Sequence, residues 1–263
     1  MRLSVTETGK KLDGIILAFH WVTDNGASLA DLATRFGARW QVLLVDSLGH
    51  GFSERFSDDD LCDPFLAACE AASAVVKRYA PQAANGKVFL IGHSMGGAIA
   101  AWVAVNYPDL VAGAVLEDPA ILTVCQAKSY REAAPALAAG VRGVCADPGQ
   151  ALMDIRAAHP AWSASECAGW VQGKTNVDMR LVESGVVGTT DESLFAKLAV
   201  PTLLIAGDRD NVLFDDGRLV TITNPVITIE RIAGASHCVR RDQPEKFYDA
   251  VDRWMASLPS PRE

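Results

Sequence analysis

The chain has 263 residues, 49% of them hydrophobic, which is enough for one full α/β core with or without an inserted subdomain. Its 32 acidic residues against 24 basic ones leave a formal charge of −8, a sign that repels phosphate backbones and argues against nucleic acid as a partner. No stretch approaches the roughly 18 apolar residues of a membrane helix, and Met1 to Thr8 lacks the apolar run of a secretory signal, so neither a membrane partner nor export is expected. Six cysteines are scattered at 62, 69, 125, 145, 167 and 238 without C-x-x-C or zinc-finger spacing. They read as free, mostly buried thiols in a cytoplasmic setting, and no metal or organic cofactor is expected.

In chain order, Gly14–Phe19 is the first buried strand. Ser28 to Phe36 follows as a helix with Ser28 as its expected N-cap. Gln41–Val45 is the next strand. Asp63-Pro64 opens a long Ala-rich helix to about Tyr79, since proline fits a helix's first turn. Lys87–Ile91 is a strand and Gly96–Asn106 the helix after it. Ala112–Leu116, Pro201–Ala206 and Val226–Glu230 complete the strands. Gln243-Pro244-Glu245 opens a last, amphipathic helix with Phe247, Val251, Trp254 and Met255 on one side. This alternation predicts an α/β fold, a mostly parallel sheet with helices on both faces. It breaks between Pro119 and Ala199, where Ala/Leu-rich segments and Trp162 and Trp170 predict a helical cap. Residues 1–118 and 200–263 then form the core and 119–199 the cap. The tail from Leu258 to Glu263 is expected to fray.

The strongest chemical signal is Gly92-His93-Ser94-Met95-Gly96, a G-x-S-x-G standing directly after a strand and before a helix. That context aims the Ser94 hydroxyl into the cleft above the sheet. The hydroxyl needs a base, and His237, in the loop between the last strand and the last helix, is the one best placed to serve. His20, His50 and His93 read as loop-shaping hydrogen bonders. The base needs a carboxylate to fix its tautomer. Asp210, in Gly207-Asp208-Arg209-Asp210, is the first choice, with Asp208 turning the loop; Asp118, at the end of the Ala112–Leu116 strand, is the alternative. Met95 is expected to donate one oxyanion-hole N–H, and the other should come from the loop His20 to Gly26. Cys238 adjoins His237 but would point the other way on an extended segment, so it reads as structural.

These marks together resemble the α/β-hydrolase superfamily over nearly the whole chain. The segments that carry the resemblance are His20–Gly26, Asp46–Ser53, the Gly92–Gly97 elbow, Gly207–Asp210 and Gly234–His237. The resemblance implies a Ser94–His237–Asp210 triad and a cap at about 119–199. Thr23–Gly26 and Leu116–Pro119 are similar to a bacterial subgroup assigned to esterases or lactonases. The family has His-Gly in the oxyanion loop where this chain has His20-Trp21, and by position Val22 would be the second donor. The short N-terminus leaves little room for the fold's first two strands.

The expected reaction is hydrolysis of a small, apolar carboxylic ester or lactone through an acyl-enzyme. Trp21, His93, Trp162 and Trp170 are candidate walls of the substrate pocket. Carbon–carbon bond hydrolysis or cofactor-free perhydrolysis could use the same residues, and a non-catalytic ligand-binding scaffold is the alternative of another class. A serine nucleophile argues against the dehalogenase and epoxide hydrolase chemistry of relatives that use aspartate. The sequence leaves the oligomeric state open.

Overall fold

A computed structural model describes residues 2–258. The tail expected to fray lies outside them from Pro259 onward. Seven strands form one sheet in the order β1-β3-β2-β4-β5-β6-β7. They are β1 (Val5–Gly9), β2 (Gly14–Phe19), β3 (Trp40–Val45), β4 (Val88–His93), β5 (Val111–Glu117), β6 (Thr202–Gly207) and β7 (Ile227–Ile232). All neighbours are parallel except β1, which runs antiparallel to β3 at one edge. The six predicted strands recur within one or two residues of their expected ends. β1 is an addition: Val-Thr-Glu-Thr-Gly is mostly exposed and carries no apolar run. Among the described residues one edge strand, β1, precedes β2.

The central strands β2 to β6 are largely apolar because both faces of the sheet are covered there. Successive residues of β2 go to opposite cores. Ile15, Leu17 and Phe19 join the side of α2 (Pro64–Tyr79) and α3 (Met95–Asn106), whereas Ile16 and Ala18 join the side of α1 (Ala30–Phe36) and the C-terminal α11 (Pro244–Ser257). Asp63 caps α2 through Leu66 N at 3.1 Å, as its sequence indicates. Ser28 does not cap α1. Its hydroxyl donates to the Asn25 carbonyl at 2.8 Å inside a short 3-10 turn, Gly26–Leu29, that precedes the helix.

Between β5 and β6 the chain forms α4 (Val124–Ala146), α5 (Pro148–Ala158), α6 (Ala164–Thr175), α7 (Met179–Ser184) and α8 (Ser193–Lys197). Thr123 and Gln126 make a reciprocal capping box at the start of α4. α6 is pressed against the loop that follows β2: a Cβ on Gly173 would lie 2.5 Å from Cα of Asp24. The helical insertion therefore sits on the segment that leaves the C-terminal end of β2. The remaining short helices are α9 (Asp216–Leu219) and α10 (Val239–Asp242). Among the described residues no helix is long and apolar enough to cross a membrane.

Phe247 of α11 is fully buried in the second core. Phe247→Ala is expected to cost about 3–5 kcal/mol. Urea unfolding of the two proteins measures it, and a loss below about 1 kcal/mol would show that α11 is not the lid of that core.

Candidate active site

The elbow between β4 and α3 is a backbone constraint before it is a chemical site. Ser94 has φ 53° and ψ −114°, in the left-handed region that a side chain makes costly, by about 1–3 kcal/mol. The surroundings hold it there. Ser94 N donates to Glu117 O at 2.9 Å, and Ser94 O accepts from Ala98 N and Ala120 N at 3.0 and 2.8 Å. Glycine is required on both sides: a Cβ on Gly92 would lie 2.2 Å from Gly96 O, and one on Gly96 would lie 2.3 Å from Phe19 O. The second approach also presses the start of α3 against the end of β2, where the loop His20–Gly26 begins.

Met95 is the first residue of α3, so its N–H has no intrahelical carbonyl to meet. In the facing loop, Thr23 N donates to His50 Nε2 at 3.3 Å and Asp24 N to Trp21 O at 3.3 Å. Among the described residues no hydrogen bond engages the N–H of Val22. His20 donates through Nδ1 to Trp21 O at 2.7 Å and accepts Ser47 N through Nε2 at 3.0 Å. His50 donates through Nδ1 to Leu48 O at 2.8 Å. Burial pulls His20 down, and burial with neighbouring His20 pulls His50 down to about 3, so both are neutral props of the loops, as the sequence suggests.

His237 arrives from β7 by a loop that crosses the end of β6. The N–H groups of Asp208 and Arg209 both donate to Ala235 O, at 3.0 and 2.9 Å, and Asp208 Oδ1 accepts Gly234 N at 2.7 Å. The loop thereby reaches the elbow. His93 Nε2 donates to His237 O at 2.9 Å, and the two imidazole rings are 4.8 Å apart. Among the described residues neither Ser94 Oγ nor His237 Nε2 has a hydrogen-bond partner.

The carboxylate on His237 is Asp118, whose Oδ2 meets Nδ1 at 2.6 Å. This corrects the expectation of Asp210, which is exposed and makes no such contact. The cause lies in the backbone. The β6 loop spends its amides and the Asp208 side chain on supporting the histidine loop, and Asp210 is carried past it into solvent. Asp118 is fully buried, with φ 36° just beyond β5, and its Oδ2 also accepts Leu213 N at 2.9 Å. Its N–H donates to Ile205 O at 2.8 Å, which fixes the carboxylate one strand from the elbow. The order serine, acid, histidine is the same for either aspartate, so chain order had no power to separate them.

The expected pocket residues divide. His93 is buried and holds the His237 carbonyl, and burial with neighbouring His237 pushes it well below the ordinary imidazole range. Trp21, Trp162 and Trp170 do come together, around Cys167 and Cys238. All three rings face cations: Lys174 Nζ lies 4.2 Å from the Trp170 centroid, Arg241 Cζ 4.7 Å from that of Trp162, and both flank Trp21. Trp162 also donates Nε1 to Asp242 at 2.9 Å. Burial raises the Cys238 thiol, consistent with a structural rather than nucleophilic cysteine.

Beneath these rings lies a buried ion network invisible to sequence reasoning. Asp24 pairs with Lys174 at 2.9 Å and Arg241 at 2.6 Å, and Glu166 takes Arg241 at 2.5 Å and Arg240 beside it. Glu117 accepts the Arg240 N–H at 2.7 Å. The network joins the loop after β2, α6 and α10. Among the described residues no cluster of three or more His, Cys, Asp or Glu is arranged to hold a metal.

Burial would push the Asp24 carboxyl up, but Lys174 and Arg241 outweigh it and hold it well below the ordinary carboxylate range. A depressed folded value means the unfolded chain binds the proton first. The stabilisation is therefore full above the unfolded value, about 3.9, and is lost as pH falls through the folded one. Asp24→Asn should cost about 3–5 kcal/mol at pH 7, since it strands buried Lys174 and leaves Arg241 with Glu166 alone. It should also flatten the loss of stability between pH 5 and 3. Urea midpoints at the three pH values measure both effects; a variant as stable as wild type with the same acid dependence would contradict the assignment.

Residues 10–244 match the family described as serine aminopeptidase, S33. A 2-(acetamidomethylene)succinate hydrolase of Mesorhizobium japonicum is 30% identical over 120 residues, 44% of this chain and 38% of that protein. A pimeloyl-[acyl-carrier protein] methyl ester esterase of Hamiltonella defensa is 32% identical over 120 residues, 46% of this chain and 38% of that protein. The matched stretch thus spans well under half the length of these curated relatives. Among solved structures, an E-2-(acetamidomethylene)succinate hydrolase superposes with a TM-score of 0.76 at 20% identity, covering 97% of this chain and 95% of the other, a likeness of fold. With the match extending over most of its length, the chain belongs to the serine aminopeptidase S33 family and so to the α/β-hydrolase superfamily.

Proposed function

We propose that the protein is a serine hydrolase that cleaves a small carboxylic ester or lactone through an acyl-enzyme, with Ser94 as nucleophile, His237 as general base and Asp118 as its orienting acid. The observation that carries this reading is the buried 2.6 Å contact of Asp118 with His237 Nδ1, on a loop tied to the residue before Ser94. With Nδ1–H committed to Asp118, Nε2 is left as the basic nitrogen. Nε2 takes the Ser94 proton as Oγ adds to the carbonyl carbon. The N–H groups of Met95 and Val22 receive the resulting oxyanion, each worth roughly 3 kcal/mol of barrier. The imidazolium, stabilised by Asp118, then protonates the leaving group as the C–O bond breaks. Water activated by His237 releases the acid and restores Ser94. In this reading the helices of residues 119–199 act as a cap over the cleft.

A void of about 10 Å³, room for roughly one water, lies beside Met95 among Phe56, Phe65, Ala68 and Leu181, so the packing on this side of the elbow is apolar and tight. Pro64, Phe65, Val186 and Gly188 line both this cavity and an outer groove of about 360 Å³. Space of that shape favours short acyl chains. The ester reading also accords with the esterase named among the relatives; the 2-(acetamidomethylene)succinate hydrolase supports the coarser reading of a hydrolase.

A panel of p-nitrophenyl esters from acetate to octanoate, run beside simple lactones, tests this. Turnover is expected to be highest for acetate or butyrate and to fall at least tenfold by octanoate, a loss of about 1.4 kcal/mol in transition-state binding. Ser94→Ala should retain no more than about 10⁻³ of the wild-type rate. A Ser94→Ala protein as active as wild type would remove the nucleophile, and no turnover or fluorophosphonate labelling of a folded wild type would favour the ligand-binding scaffold instead.

A further inference from the structure

Trp21 occupies the place where the resembling family carries glycine, and its indole does more than line a cleft. It is stacked on His237, with centroids 5.7 Å apart and planes 26° from parallel, and on His93 at 5.2 Å and 20°. Those two imidazoles are themselves 4.8 Å apart. The hydrogen bond to Asp118 fixes one axis of the His237 ring but leaves rotation about that axis open. A flat face laid against the ring removes it. The indole in turn is gripped by the buried ion network, with Arg241 Cζ 5.5 Å and Lys174 Nζ 5.4 Å from its centroid. Its Nε1 is buried and has no hydrogen-bond partner among the described residues, so face contacts rather than a directional bond hold the ring.

We propose that Trp21 is a positioning residue for His237: its stacked indole sets the plane of the imidazole, and with His93 it registers the base to the Ser94 elbow. This rests on His237 being the base under the function proposed above. The charged and titratable groups around that base are Asp118 beyond β5, His93 at the end of β4, Cys238 next to it and, across the indole, Arg241 of α10 and Lys174 of α6. Tyr130 of α4 lies within electrostatic reach of Asp118. Through Lys174 and Glu166, α6 is in contact with the groups that flank the indole.

The full-length protein with Trp21→Ala, Trp21→Leu and Trp21→Phe tests this, using fluorophosphonate labelling rates, kcat and KM on the best ester of the panel, and the pH profile of kcat. Misplacing a base by about 1 Å costs on the order of 10²-fold. Trp21→Ala and Trp21→Leu should each lower labelling rate and kcat by roughly that factor, leave KM within about threefold, and displace the acid limb of the profile. Trp21→Phe, which keeps a flat face, should recover most of the rate. Should Trp21→Ala fail to fold, Trp21→Leu carries the comparison. Wild-type labelling matched by either variant, or a raised KM with kcat and pH profile unchanged, overturns the positioning role and leaves the hydrolase reading standing. A folded wild type that does not label overturns the hydrolase reading, and this proposal with it.

Discussion

The 2.6 Å contact between Asp118 Oδ2 and His237 Nδ1 joins loops that leave the sheet at β5 and β7, with β6 between them. It forms only because the histidine loop is laid across the end of β6, on the amides of Asp208 and Arg209. In that position the imidazole meets a carboxylate with no exposure to water, held at a strained φ and already bonded to Leu213 N. A free carboxylate there would be costly to keep charged; the histidine and one amide compensate it. The tautomer of His237, and so the chemistry open to its other nitrogen, follows from this pairing.

The buried ion network gives the same region its rigidity on the opposite side. Three cations and three carboxylates meet between the loop after β2, α6 and α10, at the end of β5. Buried pairs are weak as net stabilisers because desolvation offsets attraction, yet removing one member is expensive. Such a network specifies geometry more than it adds stability. Here the geometry is that of α6 against the segment after β2, with glycines at 169 and 173 allowing backbone contact, and of α10 just after His237. The segment between β5 and β6 is thereby coupled to the histidine rather than merely resting above it.

Much of this was readable in the sequence, for identifiable reasons. The central strands are buried on both faces, so each is a continuous apolar run bounded by Gly, Asp or Pro. α2 and α11 announce themselves by proline in the first turn. The elbow is legible because Gly92 and Gly96 are sterically required around Ser94. β1 was illegible because an edge strand with exposed Thr and Glu has no apolar signature. Asp118 and Asp210 both stand just beyond a strand that precedes the histidine, and only the path of the β6 loop separates them. Asp24, Glu166, Lys174 and Arg241 carry no local signal, since nothing in their neighbourhood along the chain reveals that folding collects them. Ser28, a sound N-cap by residue type, lies inside the 3-10 turn before α1 and donates to Asn25 O instead of accepting a helix N–H.

The account is tested most directly by comparing kcat/KM for Asp118→Asn and Asp210→Asn on one ester that the wild type turns over. Loss of the orienting carboxylate should lower turnover by a factor on the order of 10⁴ in the first variant, while the second stays within about threefold of wild type. An Asp210→Asn protein without activity, beside an Asp118→Asn protein that keeps it, would contradict the assignment of the acid and the mechanism built on it.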